Sequence, residues 1–249
     1  MNIAIDIGNT RLKCGIFLPD GKIKVCAMPI PLNGKQFEQL TAAYQLPITW
    51  WIAQTGSFRW QTLKAEIRTV RLRDPFKIVT RQHIPLKMNV SVPKKVGIDR
   101  LLAAFAATKK YGDTPMLIVD AGSAITIDVV QDQTFCGGAI LPGLVAQSEI
   151  YPKISEKLPR IPMPDSAVKA RPVYPGKNTE DAIRNGLYWG TIGAIRQFYG
   201  ALQESNALLV LTGGDADYLL PGLAQEVSVL QIKHNPHLVL EGIKGCFSK

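Results

Sequence analysis

The sequence predicts an α/β protein of two similar halves, and three observations predict it. Short apolar runs of strand length alternate with longer stretches of helical periodicity. A strand, an Asp-x-Gly turn and a second strand occur twice, once around Asp6-Ile7-Gly8-Asn9-Thr10 and once around Asp120-Ala121-Gly122-Ser123. A lone Asp-x-Gly is common, but the same strand–turn–strand setting in both places marks an internal repeat. A cluster of turn formers, Gly112-Asp113-Thr114-Pro115, separates the two copies and divides the chain into 1–113 and 114–249.

The elements follow in order. Residues 2–7 are an apolar run, and residues 12–18 and 22–28 flank Pro19-Asp20-Gly21 as hairpin strands. Residues 34–44 read as a short helix, 48–53 as a tryptophan-bearing strand, 61–70 as a helix and 76–79 as a strand. Residues 97–111 are helical, with Leu101, Leu102 and Phe105 on one stripe and Gly112 as the stop. Strands are expected at 115–120 and 124–130, with Gly137-Gly138 and Pro142-Gly143 bracketing a turn. The proline-rich stretch 158–176 reads as a loop. Residues 180–204 form the clearest helix, carrying Ile183, Leu187, Ile195, Phe198 and Leu202 at helical spacing. Gly186, Gly190 and Gly193 lie near one stripe of it, and glycine costs a helix about 1 kcal/mol against alanine. The compensation expected is close approach of another backbone, from this chain or a second subunit. A strand at 207–211, the turn Thr212-Gly213-Gly214-Asp215, a helix at 215–220, a strand at 227–231 and a helix at 236–247 complete the series.

Composition narrows the function classes. The 249 residues are 46% hydrophobic and 20% charged, ordinary for a soluble protein, and no apolar run reaches membrane-spanning length. The start lacks the basic and long apolar regions of a secretory leader, which points to the cytoplasm. Cys14, Cys26, Cys136 and Cys246 form no CxxC pair and read as reduced thiols. His234 and His237 flank a proline with no partner at zinc spacing, so a loop is the better account. The net charge of +9 suits an anionic ligand, but no nucleic-acid motif accompanies it, and no nucleic acid or membrane partner is expected.

The repeated turns carry the chemistry. A glycine there lets backbone amides approach an anion, and amides converging in a turn make an anion-binding concavity. Thr10 and Ser123 add hydroxyl donors, and Lys13 adds a point charge for phosphates. A carboxylate beside phosphate makes sense with magnesium between them. Two such hairpins are thus expected to grip one triphosphate. No Walker A loop, dinucleotide fingerprint or protein-kinase catalytic loop offers another route to ATP. Taken alone, Asp6 and Asp120 could be turn-stabilising residues, Asp99 a helix cap and Lys13 an exposed strand lysine.

The motifs together resemble type III pantothenate kinases. Asp6-Ile7-Gly8-Asn9-Thr10-Arg11-Leu12-Lys13 is similar to their first phosphate motif, and Gly97-Ile98-Asp99-Arg100 to their GxDR substrate motif. Asp120 to Asp128 is similar to the second phosphate motif, with Ser123 where threonine is usual. Gly137 to Gly143, Gly176-Lys177-Asn178-Thr179 and Thr212 to Asp215 continue the order. The family often has tyrosine where this chain has Val90. The resemblance implies two actin-like (ribonuclease H-like) domains of the acetate/sugar kinase–actin superfamily, and ATP-dependent phosphorylation of pantothenate, the first step of coenzyme A biosynthesis. It implies magnesium, potassium or ammonium, and a homodimer. Asp6 through Lys13, Gly122, Ser123, Thr212, Gly213 and Gly214 would bind ATP. Gly97, Ile98, Asp99, Arg100 and Thr179 would bind pantothenate, with Asp99 as the catalytic base. Asp120 would contact potassium and Asp6 magnesium. Another small-alcohol kinase of the same superfold and a regulatory accessory protein are the alternatives.

Overall fold

A computed structural model describes residues 1–8, 11–18, 20–44, 47–55, 58–163, 171–227 and 231–247. The chain divides into two compact units. The first comprises residues 1–86, 94–106 and 237–249, and the second residues 87–93 and 107–236.

The first unit holds a five-stranded sheet. Its strands are β1 (Asn2–Ile7), β2 (Arg11–Phe17), β3 (Ile23–Pro29), β4 (Thr49–Gln54) and β5 (Phe76–Ile78), in the order β3-β2-β1-β4-β5. β1 pairs antiparallel with β2 and β2 antiparallel with β3, whereas β4 runs parallel to β1 and β5 parallel to β4. Helices α1 (Gly34–Thr41) and α2 (Trp60–Arg68) pack against each other. Phe37, Leu63 and Ile67 join Ile3, Ile5, Ile7, Trp50 and Ile52 in one core. The polar atoms of that core are satisfied locally: Asp74, 5% exposed, accepts from Trp50 Nε1 at 3.0 Å, from Ile48 N at 3.2 Å and from Arg71 Nε at 2.9 Å. The C-terminal helix α8 (Leu238–Phe247) returns to this unit and packs on β1 and β4. Gly242 permits a backbone-close approach there, because a Cβ on it would stand 2.3 Å from Leu102 O.

The second unit repeats the topology. Strands β7 (Met116–Ala121), β8 (Ala124–Gln131), β9 (Thr134–Pro142), β10 (Leu208–Thr212) and β11 (Ile232–His234) lie in the order β11-β10-β7-β8-β9, with the short β6 (Lys87–Met88) added beside β9. The senses also repeat: β7–β8 and β8–β9 are antiparallel, β7–β10 and β10–β11 parallel. The internal repeat read in the sequence is therefore a repeat of sheet order. α4 (Leu144–Ser148), α5 (Tyr151–Ile154), α6 (Thr179–Gly200) and α7 (Ala216–Glu226) complete the unit, while α3 (Ile98–Tyr111) begins in the first. Ile183, Leu187, Tyr188, Ile192 and Ile195 of α6 enter the second core with Leu117, Val119, Leu209 and Leu211.

Two expectations need correction: the glycines at 137–138 and the end of the helix begun at 215. The glycines at 137–138 lie inside β9 rather than at a turn. Gly137 has φ +85°, and a Cβ on Gly138 would stand 1.9 Å from Ile127 O, where the β8–β9 register shifts. Glycine here marks a bulge and a close backbone approach. The actual turn uses Asp132 and Gln133 at φ 48° and 53°, left-handed conformations that glycine-based turn reading overlooks. The last strand falls at Ile232–His234, and of the expected 227–231, residues 228–230 lie outside the described residues. Helix α7 runs on through Pro221 to Glu226 instead of ending at 220, because burial of Leu219 and Leu223 continues across the proline. On α6, a Cβ added at Gly190 or Gly193 would meet no other described part of the chain within 4 Å, and one at Gly186 would meet the Tyr151 hydroxyl at 3.8 Å. No backbone of this chain makes the expected close approach among the described residues.

Candidate active site

In the first unit, Asp6 stands next to last in β1 and pairs across the ladder with Lys13 of β2. Directly opposed residues share a face of the sheet, so carboxylate and ammonium are neighbours. The residue just past β4 supplies a third group. The Thr55 amide donates to Ile7 O at 3.0 Å, and its hydroxyl, 3.0 Å from Asp6 Oδ1 and 2.9 Å from Ile7 O, shares one proton between them. Gly8 then turns the chain: its amide donates to Arg11 O at 3.2 Å, and a Cβ would come within 3.0 Å of that oxygen. Arg11 is exposed and Leu12 buried in the core, so of this pair only Arg11 faces solvent. Asn9 and Thr10 lie outside the described residues.

Asp99 joins this cluster from α3. It sits in the helix's first turn, with Oδ1 accepting from Arg100 N at 2.9 Å. Gly97 precedes the helix, and a Cβ there would stand 2.4 Å from Asp99 Oδ1. The glycine of GxDR therefore leaves room for the carboxylate. Arg81 Nη2 donates to Val96 O and ties down the segment leading into the motif. Ile98 and Arg100 are half-buried at the helix start.

The electrostatics bind these residues into one site. Burial pushes the Asp6 carboxyl up to about 6; the Thr55 hydrogen bond and the Lys13 charge oppose that rise, and the charge of Asp99 adds to it. Two carboxylates of a single unit thus repel one another, and the Lys13 charge offsets this at Asp6. That arrangement gains from a further cation. No group of three or more His, Cys, Asp or Glu side chains suited to a metal occurs among the described residues. An ion held by one or two carboxylates and completed by phosphate oxygens and water is how magnesium enters nucleotide sites, so the donor set fits magnesium arriving with ATP.

The second unit gathers the other motifs at one end of its sheet. Asp120 is next to last in β7, opposite Thr126 on one side and Thr212 on the other. Gly122 N donates to Ala124 O at 3.0 Å, closing the hairpin tip that also carries Ser123. Gly143 N donates to Ser123 O at 3.1 Å, and a Cβ on Gly143 would fall 2.3 Å from Gly122 O. Gly213, at φ +101°, lies so close to Ala121 that a Cβ would meet its backbone at 2.3 to 2.5 Å, and Asp215 N donates to Ala121 O at 2.9 Å. Gly214 follows in the same turn, while the Thr212 side chain is buried. Three motifs far apart in sequence form one backbone-rich surface with few side chains, suited to an anionic or flat ligand. Thr179, first residue of α6, is exposed; the helix is capped by Asn178, whose side chain accepts from Asp181 N at 2.8 Å.

A model of the type III pantothenate kinase family matches residues 2–201. The chain belongs to the type III pantothenate kinase family. It is 30% identical to the type III pantothenate kinase of Rubrobacter xylanophilus over 274 residues, covering 100% of this chain and 97% of that protein. With that of Synechococcus sp. strain JA-3-3Ab it shares 30% over 256 residues, covering 98% and 91%. An alignment with the Rhodopirellula baltica enzyme reaches 35% over 168 residues, 67% of this chain and 60% of that protein. Among solved structures, a Baf family protein described as a transcriptional activator, from Campylobacter jejuni, superposes with TM-score 0.60 at 23% identity, covering 98% and 96% of the chains. A ROK family glucokinase from Streptomyces griseus, solved with glucose and AMPPNP, gives 0.51 at 11%, covering 97% of each. At those identities the superpositions establish the fold, which is the actin-like ATPase fold.

The family motifs read in the sequence thus sort into two groups: Asp6, Lys13 and Asp99 in the first unit, and Asp120 to Ser123 with Gly213 and Gly214 in the second. The resemblance did not point to Thr55, which hydrogen-bonds Asp6. Its signal was a hydroxyl residue just past the strand expected at 48–53, visible only once β4 is known to lie parallel to β1.

Proposed function

We infer that this chain transfers the γ-phosphoryl group of ATP to the primary alcohol of pantothenate, the first step of coenzyme A biosynthesis. The observation that carries the reading is the grouping of Asp6, Lys13 and Asp99 within electrostatic reach in a member of this family. Phosphoryl transfer asks for positioning and charge neutralisation more than for a strong base. Asp99 orients the alcohol and accepts its proton, and Arg100 with Gly97 and Ile98 holds the anionic substrate. Lys13 and Gly8, with Asn9, Thr10 and Arg11, would hold phosphate oxygens. Gly122, Ser123, Gly213 and Gly214 receive the nucleotide through backbone groups. Asp6 would hold magnesium, which supplies charge neutralisation for the phosphates when bound. Asp120 would hold potassium or ammonium.

The reading extends to a cytoplasmic homodimer. It is supported by the uncovered glycine stripe of α6 and by a groove of about 700 Å³ beside it, lined by Tyr174, Pro175, Asn185, Gly186 and Trp189. In a dimer, Thr179 would contact the pantothenate of the partner subunit. No helix among the described residues is long and apolar enough to cross a membrane.

The test is a coupled assay of ADP formation with and without pantothenate, in potassium and in sodium buffers. Pantothenate-dependent ADP, faster in potassium, is the expected result. ADP released equally without any acceptor indicates a hydrolase, and sugar-dependent release indicates another kinase of the fold.

A further inference from the structure

The β2–β3 hairpin carries a pair of cysteines that the phosphoryl-transfer chemistry does not use. Cys14 and Cys26 are direct cross-strand partners. Directly opposed residues in an antiparallel pair have Cα atoms about 4.5–5.5 Å apart, inside the roughly 4.4–6.8 Å that a disulfide spans. Both side chains sit on the same face: Cys14 is fully buried in the first core, and Cys26 packs against that core. Both are free thiols, and they differ in access. Among the described residues β3 is the edge of its sheet, paired with β2, and Cys26 is partly exposed whereas Cys14 is buried.

We infer that Cys26 and Cys14 form a hydroperoxide-responsive dithiol, Cys26 as the attacking thiol and Cys14 as the resolving one. The Cys26 thiolate attacks one peroxide oxygen, the O–O bond breaks, and hydroxide (or alkoxide) leaves, so that sulfur becomes a sulfenic acid. The Cys14 sulfur then displaces the sulfenic oxygen, its own proton leaving with that oxygen as water, and an S–S bond forms. Two thiols are oxidised and one peroxide is reduced. The asymmetry of the pair favours this order. The hydrogen bond with Cys14 is the largest influence on Cys26 and, with the Lys24 charge, draws its thiol down to about 7 against the opposing effect of burial; burial pushes the Cys14 thiol up. A low-pKa, partly exposed thiol beside a buried one is the arrangement that peroxide oxidises selectively.

The experiment treats the intact protein with hydrogen peroxide, stops the reaction with catalase, counts thiols in denaturant and maps tryptic peptides without reduction. The count should fall from four to two. Peptide 14–22 should be found linked to peptide 25–35, and dithiothreitol should restore all four thiols. Cys14→Ala, which keeps a small apolar group in the core but removes the hydrogen bond to Cys26, should slow oxidation of Cys26 and leave it as a sulfenic acid that a 1,3-dione traps. Cys26→Ser should abolish the linkage without exposing Cys14 to oxidation. Four surviving thiols, a linkage through Cys136 or Cys246, a disulfide between two chains, or Cys26 passing to sulfinic acid with Cys14 reduced would each overturn the inference.

Discussion

Asp6 concentrates the opposing demands on the site. Folding lifts its carboxyl from 3.8 to about 6, so between those values the folded chain holds a proton that the unfolded chain does not. The favourable contribution is therefore full below pH 3.8 and is lost as pH rises through 6. Asp6→Asn removes the buried charge and leaves an oxygen to accept from Thr55. In the absence of ligands it should raise stability above pH 6 by ~1–3 kcal/mol, with little effect near pH 4, while ATP turnover is lost. Melting temperatures at both pH values check this; equal shifts at both would refute the desolvation argument. The proposed role of Asp99 is chemical. Asp99→Asn keeps an acceptor for Arg100 N, so the fold should be retained while kcat drops ~10²–10⁴-fold. Near-normal turnover would return Asp99 to the role of a helix cap. Both aspartates were legible in the sequence by motif. Their mutual repulsion was not, because it depends on α3 starting beside the end of β1.

At the scale of elements, strands and helices with strong periodicity were readable, and glycine was the residue most open to misreading. Its meaning depends on what the missing Cβ would touch. At 137–138 it admits a bulge and at 213 it admits Ala121, whereas a Cβ at Gly190 or Gly193 of α6 would meet no other described part of the chain. Gly213→Ala combines φ +101° with a backbone clash and should destabilise the second unit by ~2–4 kcal/mol, seen as a lower melting temperature. Gly190→Ala should instead be neutral or stabilising in a monomer, since alanine favours helix by about 1 kcal/mol. If α6 forms a subunit interface, the same change should weaken association in analytical ultracentrifugation. Asp74 links elements in another way, holding the start of β4 through Trp50 and Ile48. Burial raises its pKa, but hydrogen bonds from Arg71, Trp50 and Ile48 outweigh that and hold it below the ordinary value. Its stabilising effect is thus present above the ordinary carboxylate range and is lost as pH falls through the lowered value.

For the whole molecule, the sheet order β3-β2-β1-β4-β5 recurs as β9-β8-β7-β10-β11, so each Asp-x-Gly motif lies at an equivalent place in its own unit. The units do not follow the chain in simple succession. α8 comes last in sequence, yet Leu240 and Ile243 are buried in the first unit, where the helix packs on β1 and β4. A fragment of residues 1–113 lacks that cover and should not fold cooperatively, whereas one that also carries residues 237–249 through a linker should; circular dichroism melts separate the two. A cooperative melt for 1–113 alone would show that α8 is dispensable.

Local signals sufficed for the repeated Asp-x-Gly motifs and most of the order of elements, since strand alternation, helical spacing and Asp-x-Gly turns act over a few neighbouring positions. Other features arose only from contacts between distant segments. Thr55 reaches Asp6 because β4 runs parallel to β1, Cys26 faces Cys14 through the hairpin register, and α8 closes a core begun some 230 residues earlier. Those contacts are set by how apolar faces find one another in packing, which no short window of sequence contains.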